Sequence, residues 1–368
     1  MKLKKWLLGE VLDNYDYLRK PLSSMQRASL KGIYPYYGAQ GIIDYVADYK
    51  CDGEFLLIAE DGENLSSRNA PIAQIAKGKY WVNNHAHIVK NNSHSDLHYI
   101  CYLLNNLDIA GYVTGSAQPK LSQGNLNKIK IALPSLPTQQ KIASILSAYD
   151  RLIENNTRRI RLLEQMAENL HKEWFVRFRF PEHEKVEMVN GLPKGWKVEK
   201  LGEYANISTG KCNREDAEED GIYPLFDRSQ EIKKSSKWIK DCEAIIVPGE
   251  GTSFMPRYYK GKFNLHQRCY CIEPTIKDIG FYLFYSIMLN RKYFLSVATG
   301  ATVPSLRQNN FTKMKLVIAE FELVKKYNKI ASTIALQIDR LKEQNTLLTR
   351  QRDLLLPRLM SGKLEVKS

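Results

Sequence analysis

The amino-acid sequence predicts an α+β protein with two mixed α/β globular domains, each followed by a long helix, and with the two helices paired as an antiparallel coiled coil. Three observations predict this fold. The chain repeats itself once, the first part of each copy has short apolar runs broken by turn residues, and the last part follows a heptad pattern. With 368 residues the chain is long enough for two or three domains that each bury a core.

The internal repeat is seen first in Gly32-Ile33-Tyr34-Pro35, which recurs as Gly221-Ile222-Tyr223-Pro224 at an offset of 189 residues. Later matches keep the same order at offsets between 185 and 189, and they include Gly62 with Gly251, Thr114-Gly115 with Thr299-Gly300, Pro119 with Pro304, Ile142-Ala143-Ser144 with Ile330-Ala331-Ser332, and Asn156-Thr157 with Asn345-Thr346. Ordered matches at a nearly constant spacing indicate two copies of one design.

The two predicted globular domains are residues 1–136 and residues 194–322. Each contains apolar or aromatic runs, such as 55–58 and 244–247, between Gly, Asn, Asp and Pro residues, which is the pattern of short strands. One helix is predicted in each domain, at residues 97–105 and 280–289.

The first long helix is predicted over residues 137–177, as a central spacer. Its apolar positions step by four and three from Ile142 to Trp174, which is the heptad pattern of a coiled coil. Pro137 suits the first turn of a helix, where its missing N–H has no partner to lose. A run of about 33 residues at 1.5 Å each spans roughly 50 Å.

The second long helix is predicted over residues 323–362, with residues 363–368 as a tail. The same steps of four and three run from Ile334 to Leu359. Pro357 is expected to kink the last turns, and Gly362 is suited to end the helix. Residues 178–193 are polar with Pro and Gly, and are predicted to form the linker between the two halves.

Two asparagines stand at matching seam positions of the two helices, Asn156 and Asn345. A buried asparagine in such a seam lowers stability but fixes the register, because a slipped pairing would leave its amide unsatisfied. The alternative is that both side chains lie at the edge of the seam and face water.

The charge of the chain favours a polyanionic partner, since 54 Lys and Arg against 40 Asp and Glu give a net charge of +14. The excess is spread over both halves, as expected for a long contact surface. The sequence has no stretch near the roughly 18 consecutive apolar residues of a membrane helix, so we expect no membrane contact and a cytoplasmic protein.

The sequence offers no catalytic or metal-binding motif. It has no phosphate-binding loop, no zinc-protease helix motif and no nucleophile elbow. An adenine methyltransferase would also need its cofactor motif and an Asn/Asp-Pro-Pro-Tyr/Phe tetrapeptide, and both are missing. The six cysteines are expected to be reduced and mostly buried, and the pair His94 and His98 to be a surface cluster, so neither catalytic nor metal-ligating residues are predicted.

Three segments together resemble type I restriction–modification specificity subunits. One is Leu133-Pro134-x-Leu136-Pro137-x-Gln139-Gln140-Lys141-Ile142, which opens the first helix, and another is Gly195-Trp196-Lys197-Val198-Glu199-Lys200-Leu201-Gly202-Glu203. The third is the closing run from Leu354 to Leu364. The resemblance covers essentially the whole chain. One departure is that the second helix opens with Glu320-Phe321-Glu322-Leu323 instead of the Pro-x-x-x-Gln-Gln pattern.

The resemblance implies a DNA-recognition subunit without catalytic machinery. Each globular domain would be a target recognition domain that reads one half of a bipartite site in double-stranded DNA. The helix pair would set the spacing of the two halves and dock methyltransferase subunits and, through them, restriction and translocase subunits. The partners would use S-adenosylmethionine, ATP and Mg²⁺, and this chain would hold no cofactor.

Two repeat-matched, turn-rich places are candidates for the contacts with DNA, because duplex reading needs phosphate contacts together with polar side chains at base edges. The candidates of the first place are Ser116, Gln118, Lys120 and Gln123, with Thr302, Arg307, Gln308 and Asn309 in the second copy. Those of the second place are Ser66, Ser67, Arg68 and Asn69, with Arg257, Tyr258 and Lys260. Matched residues such as Gln123 and Gln308 are expected to hold architecture or phosphate, and residues that differ, such as Arg68 and Arg257, to read bases. For each of them, a merely solvated loop residue is the alternative.

Two other functions are consistent with the same residues. One is a repeat-built scaffold that binds nucleic acid or protein without a methyltransferase partner, and the other is a DNA-modifying enzyme with unrecognised motifs. Co-purification with a methyltransferase distinguishes the specificity subunit from the scaffold, and methyl transfer by the isolated chain would identify the enzyme.

Overall fold

The computed structural model describes residues 2–115 and 118–366 and divides into two compact units. Unit 1 comprises residues 1–156 and 344–368, and unit 2 comprises residues 157–343. Each unit therefore contains one globular part and segments of both long helices.

Unit 1 contains ten strands and five short helices among its described residues. The strands are β1 (Lys4–Leu7), β2 (Leu12–Asn14), β3 (Lys31–Gly38), β4 (Gly41–Val46), β5 (Cys51–Asp52), β6 (Phe55–Ala59), β7 (Ala73–Ala76), β8 (Lys79–Val82), β9 (Ala86–Asn91) and β10 (Lys130–Leu133). The helices are α1 (Leu8–Val11), α2 (Ser24–Ser29), α3 (Asn64–Ser67), α4 (Leu97–Asn106) and α5 (Gln123–Asn127), and the long helix α6 (Leu136–His171) begins in this unit.

The strands of unit 1 form two four-stranded sheets, in the orders β2-β9-β6-β7 and β4-β3-β8-β5, and a separate pair β1-β10. All pairs are antiparallel except β3 with β8. β6 is buried throughout because its side chains alternate between two cores. Leu56 and Ile58 join the core that contains α4 and the start of α6, while Phe55 and Leu57 pack with Tyr80.

Unit 2 has the same kinds of elements. Its strands are β11 (Met188–Val189), β12 (Leu192–Pro193), β13 (Lys197–Lys200), β14 (Ala205–Thr209), β15 (Tyr223–Phe226), β16 (Lys233–Ser235), β17 (Lys240–Pro248), β18 (Arg257–Leu265), β19 (Cys269–Pro274) and β20 (Lys315–Ile318). Its helices are α7 (Gly280–Leu289), α8 (Arg291–Val297), α9 (Gln308–Thr312) and the beginning of α10 (Phe321–Met360).

The main sheet of unit 2 has six strands in the order β14-β19-β17-β18-β15-β16, and β13 pairs with β20 as β1 pairs with β10 in unit 1. β15 lies parallel to β18 and antiparallel to β16, which repeats the arrangement of β3 with β8 and β4. Ile245 and Val247 face one core and Ala244 and Ile246 the other, as in β6. The mixed α/β character and the helices predicted at 97–105 and 280–289 are therefore confirmed.

In unit 1, α6 is anchored to the globular part at its first turns. Ile142 and Leu146 are fully buried in the core. The Gln139 amide donates to the carbonyl oxygens of Pro134 (3.0 Å) and His94 (3.1 Å), and its Oε1 accepts from the Asp96 N–H (3.0 Å). Gln139 belongs to the opening motif of the first helix, so that motif ties the helix to the loop before α4.

The second copy makes the corresponding tie differently, as its departure from the opening motif indicated. Asn328 is buried in α10, and its Oδ1 accepts from the Phe281 N–H (2.8 Å) in the first turn of α7. α10 begins at Phe321, which is three residues earlier than α6 when Ile142 is matched to Ile330. Asn328 therefore lies one turn further from the start of its helix than Gln139 does. Its shorter side chain accepts from a backbone N–H at the start of α7, as Gln139 accepts from the Asp96 N–H before α4.

The two long helices run antiparallel in both units, as predicted. In unit 1, Arg352 of α10 pairs with Asp150 of α6 (2.6 Å), and Gln344 faces Asn156 further along α6. In unit 2, Lys342 lies 4.0 Å from Glu164, and the Tyr327 hydroxyl donates to the Ala167 carbonyl (3.3 Å). In both units, residues later in α6 contact residues earlier in α10, which is the order of an antiparallel pair.

The ends of the helices differ in detail from the prediction. α6 ends at His171 and passes into a π-helical turn, Lys172–Val176, whose Trp174 and Phe175 are buried. α10 continues through Pro357 to Met360, and Gly362 follows with a φ of +73°. The left-handed conformation of Gly362 explains why the helix stops there.

The two seam asparagines have different surroundings. Asn156 is 7% exposed, and its Nδ2 donates to Gln344 Oε1 at 3.5 Å. Asn345 is partly buried. Burial of Asn156 agrees with a seam position, and the register role of both residues stays a prediction.

Among the described residues, no helix combines the length and apolarity that crossing a membrane requires.

Candidate nucleic-acid interface

A closed loop is held against the turn after β6 in unit 1. Thr114 and Lys120 exchange backbone hydrogen bonds of 2.8 and 2.7 Å at the base of the loop. The Leu121 N–H donates to the Glu60 carbonyl (2.7 Å), and the Gly62 N–H donates to the Pro119 carbonyl (3.2 Å). These backbone bonds fix the base of the loop, and the Thr114 hydroxyl adds a donor to the Lys120 carbonyl (3.2 Å).

Unit 2 builds the same module with different side chains. Thr299 and Ser305 exchange backbone hydrogen bonds of 2.9 and 2.7 Å. The Leu306 N–H donates to the Gly249 carbonyl (2.8 Å), and the Gly251 N–H donates to the Pro304 carbonyl (3.0 Å). The repeat that the sequence indicates is thus a repeat of backbone geometry at this place.

A glycine is required at the second position of each loop. Gly115 has a φ of +88° and Gly300 a φ of +118°, which disfavours residues with a Cβ. A Cβ on Gly115 would lie 2.3 Å from the Gln118 carbonyl oxygen, and one on Gly300 would lie 2.5 Å from the Val303 carbonyl oxygen. The tight turn therefore explains why Thr-Gly occurs in both copies.

Further loops lie beside this module in each unit. In unit 1, the Gln40 amide between β3 and β4 donates to Asn64 Oδ1 (3.3 Å), and the Glu60 N–H donates to the His85 carbonyl (2.9 Å). In unit 2, the Gly249 N–H donates to the Arg268 carbonyl (2.7 Å). We call these surfaces the loop faces. That of unit 1 comprises residues 38–41, 59–64, 83–85 and the described part of 113–121, and that of unit 2 comprises residues 227–231, 248–252, 266–268 and 299–307.

A partly buried carboxylate organises the charges on the loop face of unit 1. Glu60 contacts the guanidinium of Arg19 and lies 3.2 Å from Lys120 Nζ. Burial would raise the pKa of Glu60, but the hydrogen bonds and charges of Arg19, His87 and Lys120 lower it below its ordinary value. The neighbouring Asp61 holds the His85 ring at 2.7 Å. Lys120 and His85 are the more exposed side chains of this group, at 54% and 48% exposed.

Glu250 has the corresponding role on the loop face of unit 2. Its Oε2 lies 2.6 Å from Nη1 of Arg228, and its Oε1 lies 3.3 Å from Nη1 of Arg268. The carboxylate is 16% exposed, whereas the two arginine side chains are 49% and 56% exposed. Arg307 and Gln267 line the same polar cavity of about 200 Å³. Two arginines thus converge on one acidic residue, and a third arginine lines the cavity beside it.

Arg68 does not have the role that its sequence position indicated. It lies at the end of α3 with a φ of +57°, and its Nη2 donates to the carbonyl oxygens of Leu104, Asn105 and Leu107 at 3.1, 3.0 and 2.8 Å. Burial also lowers its pKa. These carbonyls lie at the end of α4, where a helix leaves acceptors unsatisfied. Arg68 is therefore committed to capping α4 and is not a suitable base reader.

Arg257 is likewise turned inward, contrary to the expectation that it reads bases. Its Nη2 donates to the Ser229 carbonyl and lies 3.5 Å from the Asp227 carbonyl, and its guanidinium lies 5.8 Å from the centre of the Phe226 ring. Burial lowers its pKa. Arg257 supports the 227–229 turn from its buried side, and this turn carries Arg228.

Replacing Arg257 by methionine is expected to lower the free energy of unfolding by about 1–3 kcal/mol, because the carbonyls of the 227–229 turn lose their charged donor. Urea denaturation measures this loss. Lys260→Met, at an exposed position of the same strand, is the control and should change stability little. Unchanged stability together with relaxed preference at one base pair would restore the original interpretation of Arg257.

The other candidates of the second place lie beside these two arginines. Ser66 and Asn69 are exposed and Ser67 is half-buried. Tyr258 stacks on Phe281 (3.9 Å between ring centres), and its hydroxyl donates to Glu243 (2.6 Å), so it is part of the core packing. Lys260 is exposed and lines a groove with lysines of α10, away from the loop-face cavity.

The candidates of the first place lie on or beside the loop faces. Those that are exposed are Gln118, Lys120, Gln123, Thr302, Arg307, Gln308 and Asn309. The Gln308 amide donates to the Ile207 carbonyl (2.8 Å), which agrees with an architectural role for this matched residue. The Arg307 N–H donates to Asn310 Oδ1 (2.6 Å) at the start of α9. Ser116 lies outside the described residues.

Sequence reasoning missed the residues that carry most of the charge at these faces, namely Arg19, Glu60 and His85 in unit 1 and Arg228, Glu250 and Arg268 in unit 2. Their distance along the chain hid them, because each face is assembled from four separate loops. One signal was present, since the offset of 189 matches Asp61 to Glu250 next to the conserved glycine pair of the repeat, Gly62 and Gly251. An acidic residue at both positions pointed to a place where cations are held.

The remaining polar clusters have explanations within the fold. His94 stacks on Trp6, and His98 contacts Glu54 at 2.8 Å, so the two histidines have separate partners. Among the described residues, Cys242, Cys271 and Glu273 have ligand-type atoms within 4.8 Å of one another. Lys240 Nζ lies 3.4 Å from Glu273 Oε2, which already balances the charge of that carboxylate.

Comparison with known proteins gives one consistent result. The profile of the type I restriction modification DNA specificity domain matches residues 5–165 and 193–349, which is most of the chain and both copies of the repeat. The chain is 26% identical over 397 aligned positions to the specificity subunit of the type I restriction enzyme MjaIX of Methanocaldococcus jannaschii, and the alignment covers 98% of this chain and 87% of that one. It is 32% identical over 177 positions to the specificity subunit of the Escherichia coli type I restriction enzyme EcoDI, over 47% of this chain and 39% of that one.

Among solved structures, the crystal structure of the S subunit of a type I restriction–modification system from M. genitalium is similar to this chain. The TM-score is 0.71 at 17% sequence identity, over 98% of this chain and 96% of the other. At this level of identity, the likeness shows that the two chains share a fold.

Proposed function

The chain belongs to the type I restriction modification DNA specificity family, and from this membership we propose how its two target recognition domains divide the work. Each domain reads one half of a bipartite site in double-stranded DNA through its loop face. The chain itself performs no catalysis. It gives sequence specificity to a complex in which other subunits carry out methylation and cleavage.

The observation that carries this proposal is the loop module that the two units share. The backbone pairing at its base is the same in both, Thr114 with Lys120 and Thr299 with Ser305, while the side chains of the two loops differ in sequence. A common backbone places both faces against the same kind of ligand, and different side chains allow two different sequences to be read. A bipartite DNA site has these two properties.

The charges on the two faces support a duplex as the ligand. The cationic side chains of the two faces are exposed or half exposed and can contact phosphates or base edges. They are Lys120 in unit 1 and Arg228, Arg268 and Arg307 in unit 2. The net charge of +14 adds long-range attraction for a polyanion.

The long helices are the proposed contact with the other subunits of the complex. Exposed apolar side chains occur along α6 and α10, among them Leu152, Leu162, Leu336 and Leu347. We propose that methyltransferase subunits dock along these helices, that restriction subunits join through them, and that the partners bind S-adenosylmethionine, ATP and Mg²⁺. The length of the helix pair would set the distance between the half-sites.

Replacing residues 194–322 with the corresponding segment of a relative of different specificity is expected to change one half-site and leave the other intact. The reason is that each unit has its own core beneath its own loop face. Selection of bound duplexes from a random pool, with the full chain and its replacement variant, measures both half-sites. The comparison also shows which half-site belongs to unit 2.

A smaller exchange keeps this test informative if the replacement disturbs folding. Exchanging only residues 299–307 and 227–231 replaces no aromatic residue of the core around Tyr282 and Phe311. Circular dichroism verifies the fold of both variants. Loss of all sequence preference in well-folded variants, or a simultaneous change of both half-sites, would contradict the proposed division of labour. A chain that shows no preference for any duplex sequence would favour the scaffold interpretation.

A further inference from the structure

We infer that the loop face of unit 2 reads guanine, with Arg228 and Arg268 as the reading side chains and Glu250 as the residue that positions them. This inference rests on the proposed function, since it names the bases that one of the two faces recognises. The ligand is the major-groove edge of a G·C pair, where O6 and N7 of guanine form a pair of acceptors.

The geometry around Glu250 orients both arginines. Each carboxylate oxygen takes one arginine, with Oε2 at 2.6 Å from Arg228 Nη1 and Oε1 at 3.3 Å from Arg268 Nη1. The carboxylate is nearly buried, and both guanidinium groups reach solvent. A guanidinium has five N–H donors, so the group that is held through Nη1 retains others for a ligand. The two arginines are therefore oriented before DNA arrives, which reduces the entropy lost on binding.

The backbone that carries Glu250 and the two arginines is held rigidly. Glu250 follows Gly249, whose N–H donates to the Arg268 carbonyl and whose carbonyl accepts from the Leu306 N–H. Arg228 stands on the 227–229 turn that Arg257 holds from below. Both reading side chains therefore start from backbone that is fixed by buried contacts, as accurate base reading requires.

The charge of Glu250 decides between a base and a phosphate as the ligand of the two arginines. The Glu250 carboxylate cancels one of the two arginine charges, which weakens the attraction of this cluster for a phosphate. The edge of a guanine is neutral and offers two acceptors, so it pairs with the arginine fork without depending on that net charge. A carboxylate shared between two arginines therefore favours base recognition by them over phosphate binding.

The loop face of unit 1 provides a contrast. There Glu60 holds Arg19, whose side chain is only 19% exposed, and Lys120, whose ammonium is a single charge and not a planar fork. The His85 side chain, 48% exposed, contacts Asp61. Unit 1 therefore presents a different set of donors, and the inference assigns guanine to the unit 2 half-site alone.

The test begins with the duplex that the full chain selects and with the half-site that the domain replacement assigns to unit 2. We expect at least one guanine in that half-site. Replacing it with 7-deazaguanine removes the N7 acceptor but keeps O6 and the base pair, and should weaken binding roughly 10- to 150-fold, the range for loss of one hydrogen bond to a charged donor. Inosine keeps O6 and N7, so the same position substituted with inosine should bind within about twofold of guanine.

Variants then link the effect to the side chains. Arg228→Gln and Arg268→Gln should each lower affinity and abolish the sensitivity to 7-deazaguanine at one guanine. Glu250→Gln should weaken the preference for guanine, because the arginines lose their orienting charge. Arg340→Gln, an exposed arginine on α10 of the same unit, is the matched control and should keep full sensitivity.

The outcomes separate this inference from the function on which it rests. A sequence-specific chain whose unit 2 half-site lacks guanine, or tolerates 7-deazaguanine, overturns the inference and leaves the proposed function standing. Equal loss of affinity across all sequences, with a salt dependence reduced by about one charge, would make the arginines phosphate contacts and overturn it as well. Absence of any sequence preference would overturn the proposed function itself.

Discussion

Replacing Gly210 by alanine is expected to lower the free energy of unfolding of unit 2 by about 3 kcal/mol or more. Gly210 follows β14 where the chain passes against β18, and a Cβ there would lie 1.8 Å from the Leu265 carbonyl oxygen and 2.3 Å from its carbon. The obstacle is backbone, and the N–H groups of Lys211 and Cys212 both donate to the same carbonyl. The strand ends must therefore separate to admit one methyl group.

Urea denaturation and amide hydrogen exchange in unit 2 measure this loss. Gly124→Ala is the control, because Gly124 lies in α5 with no atom within 4 Å of the added Cβ. Alanine is favoured over glycine in a helix by about 1 kcal/mol, so this variant should be as stable as the wild type or slightly more stable. A Gly210→Ala protein with the exchange protection of the wild type would show that β14 and β18 do not approach this closely in solution.

Acidification is expected to destabilise unit 2 through His171, by about 3 kcal/mol between pH 6.5 and pH 4. The imidazole is 3% exposed at the end of α6, it stacks on Tyr282, and its Nε2 lies 3.1 Å from Ser286 Oγ. Burial lowers its pKa from 6.5 to about 4. In this window the unfolded chain binds a proton that the folded chain does not, so stability falls as the pH falls and levels off below pH 4.

The side chains around His171 support this window. Tyr282, Tyr285 and Tyr327 pack against the ring, and their phenols are neutral at acidic pH because their ordinary pKa is near 10 and burial raises the pKa of each further. Urea denaturation at pH 7, 5.5 and 4 measures the effect. His171→Gln should lose this part of the pH dependence, whereas His183→Gln, at an exposed histidine of the same unit, should keep it. An equal pH dependence in wild type and His171→Gln would show that His171 is not its source.

The sequence predicted the elements whose signals are local. The two copies, the helices at 97–105 and 280–289 and the antiparallel pair of long helices all follow from periodicity and from turn residues near each other in the chain. Gly115 and Gly300 were recognisable as a matched pair, because a tight turn depends on the residues within it. Repetition substituted for an alignment of relatives.

Tertiary structure alone decided which charged side chains face outward. Arg68 and Arg257 stand in loops of the right composition, yet one caps α4 and the other supports the 227–229 turn. Arg228 and Arg268 lie 40 residues apart and become neighbours only through Glu250. The physical reason is that a long arginine side chain turns toward the unsatisfied hydrogen-bond acceptors within its reach. In these loops, folding determines which acceptors lie near each arginine. Sequence therefore determined the two-copy architecture, whereas the packing of distant loops determined which arginines are free to meet a base.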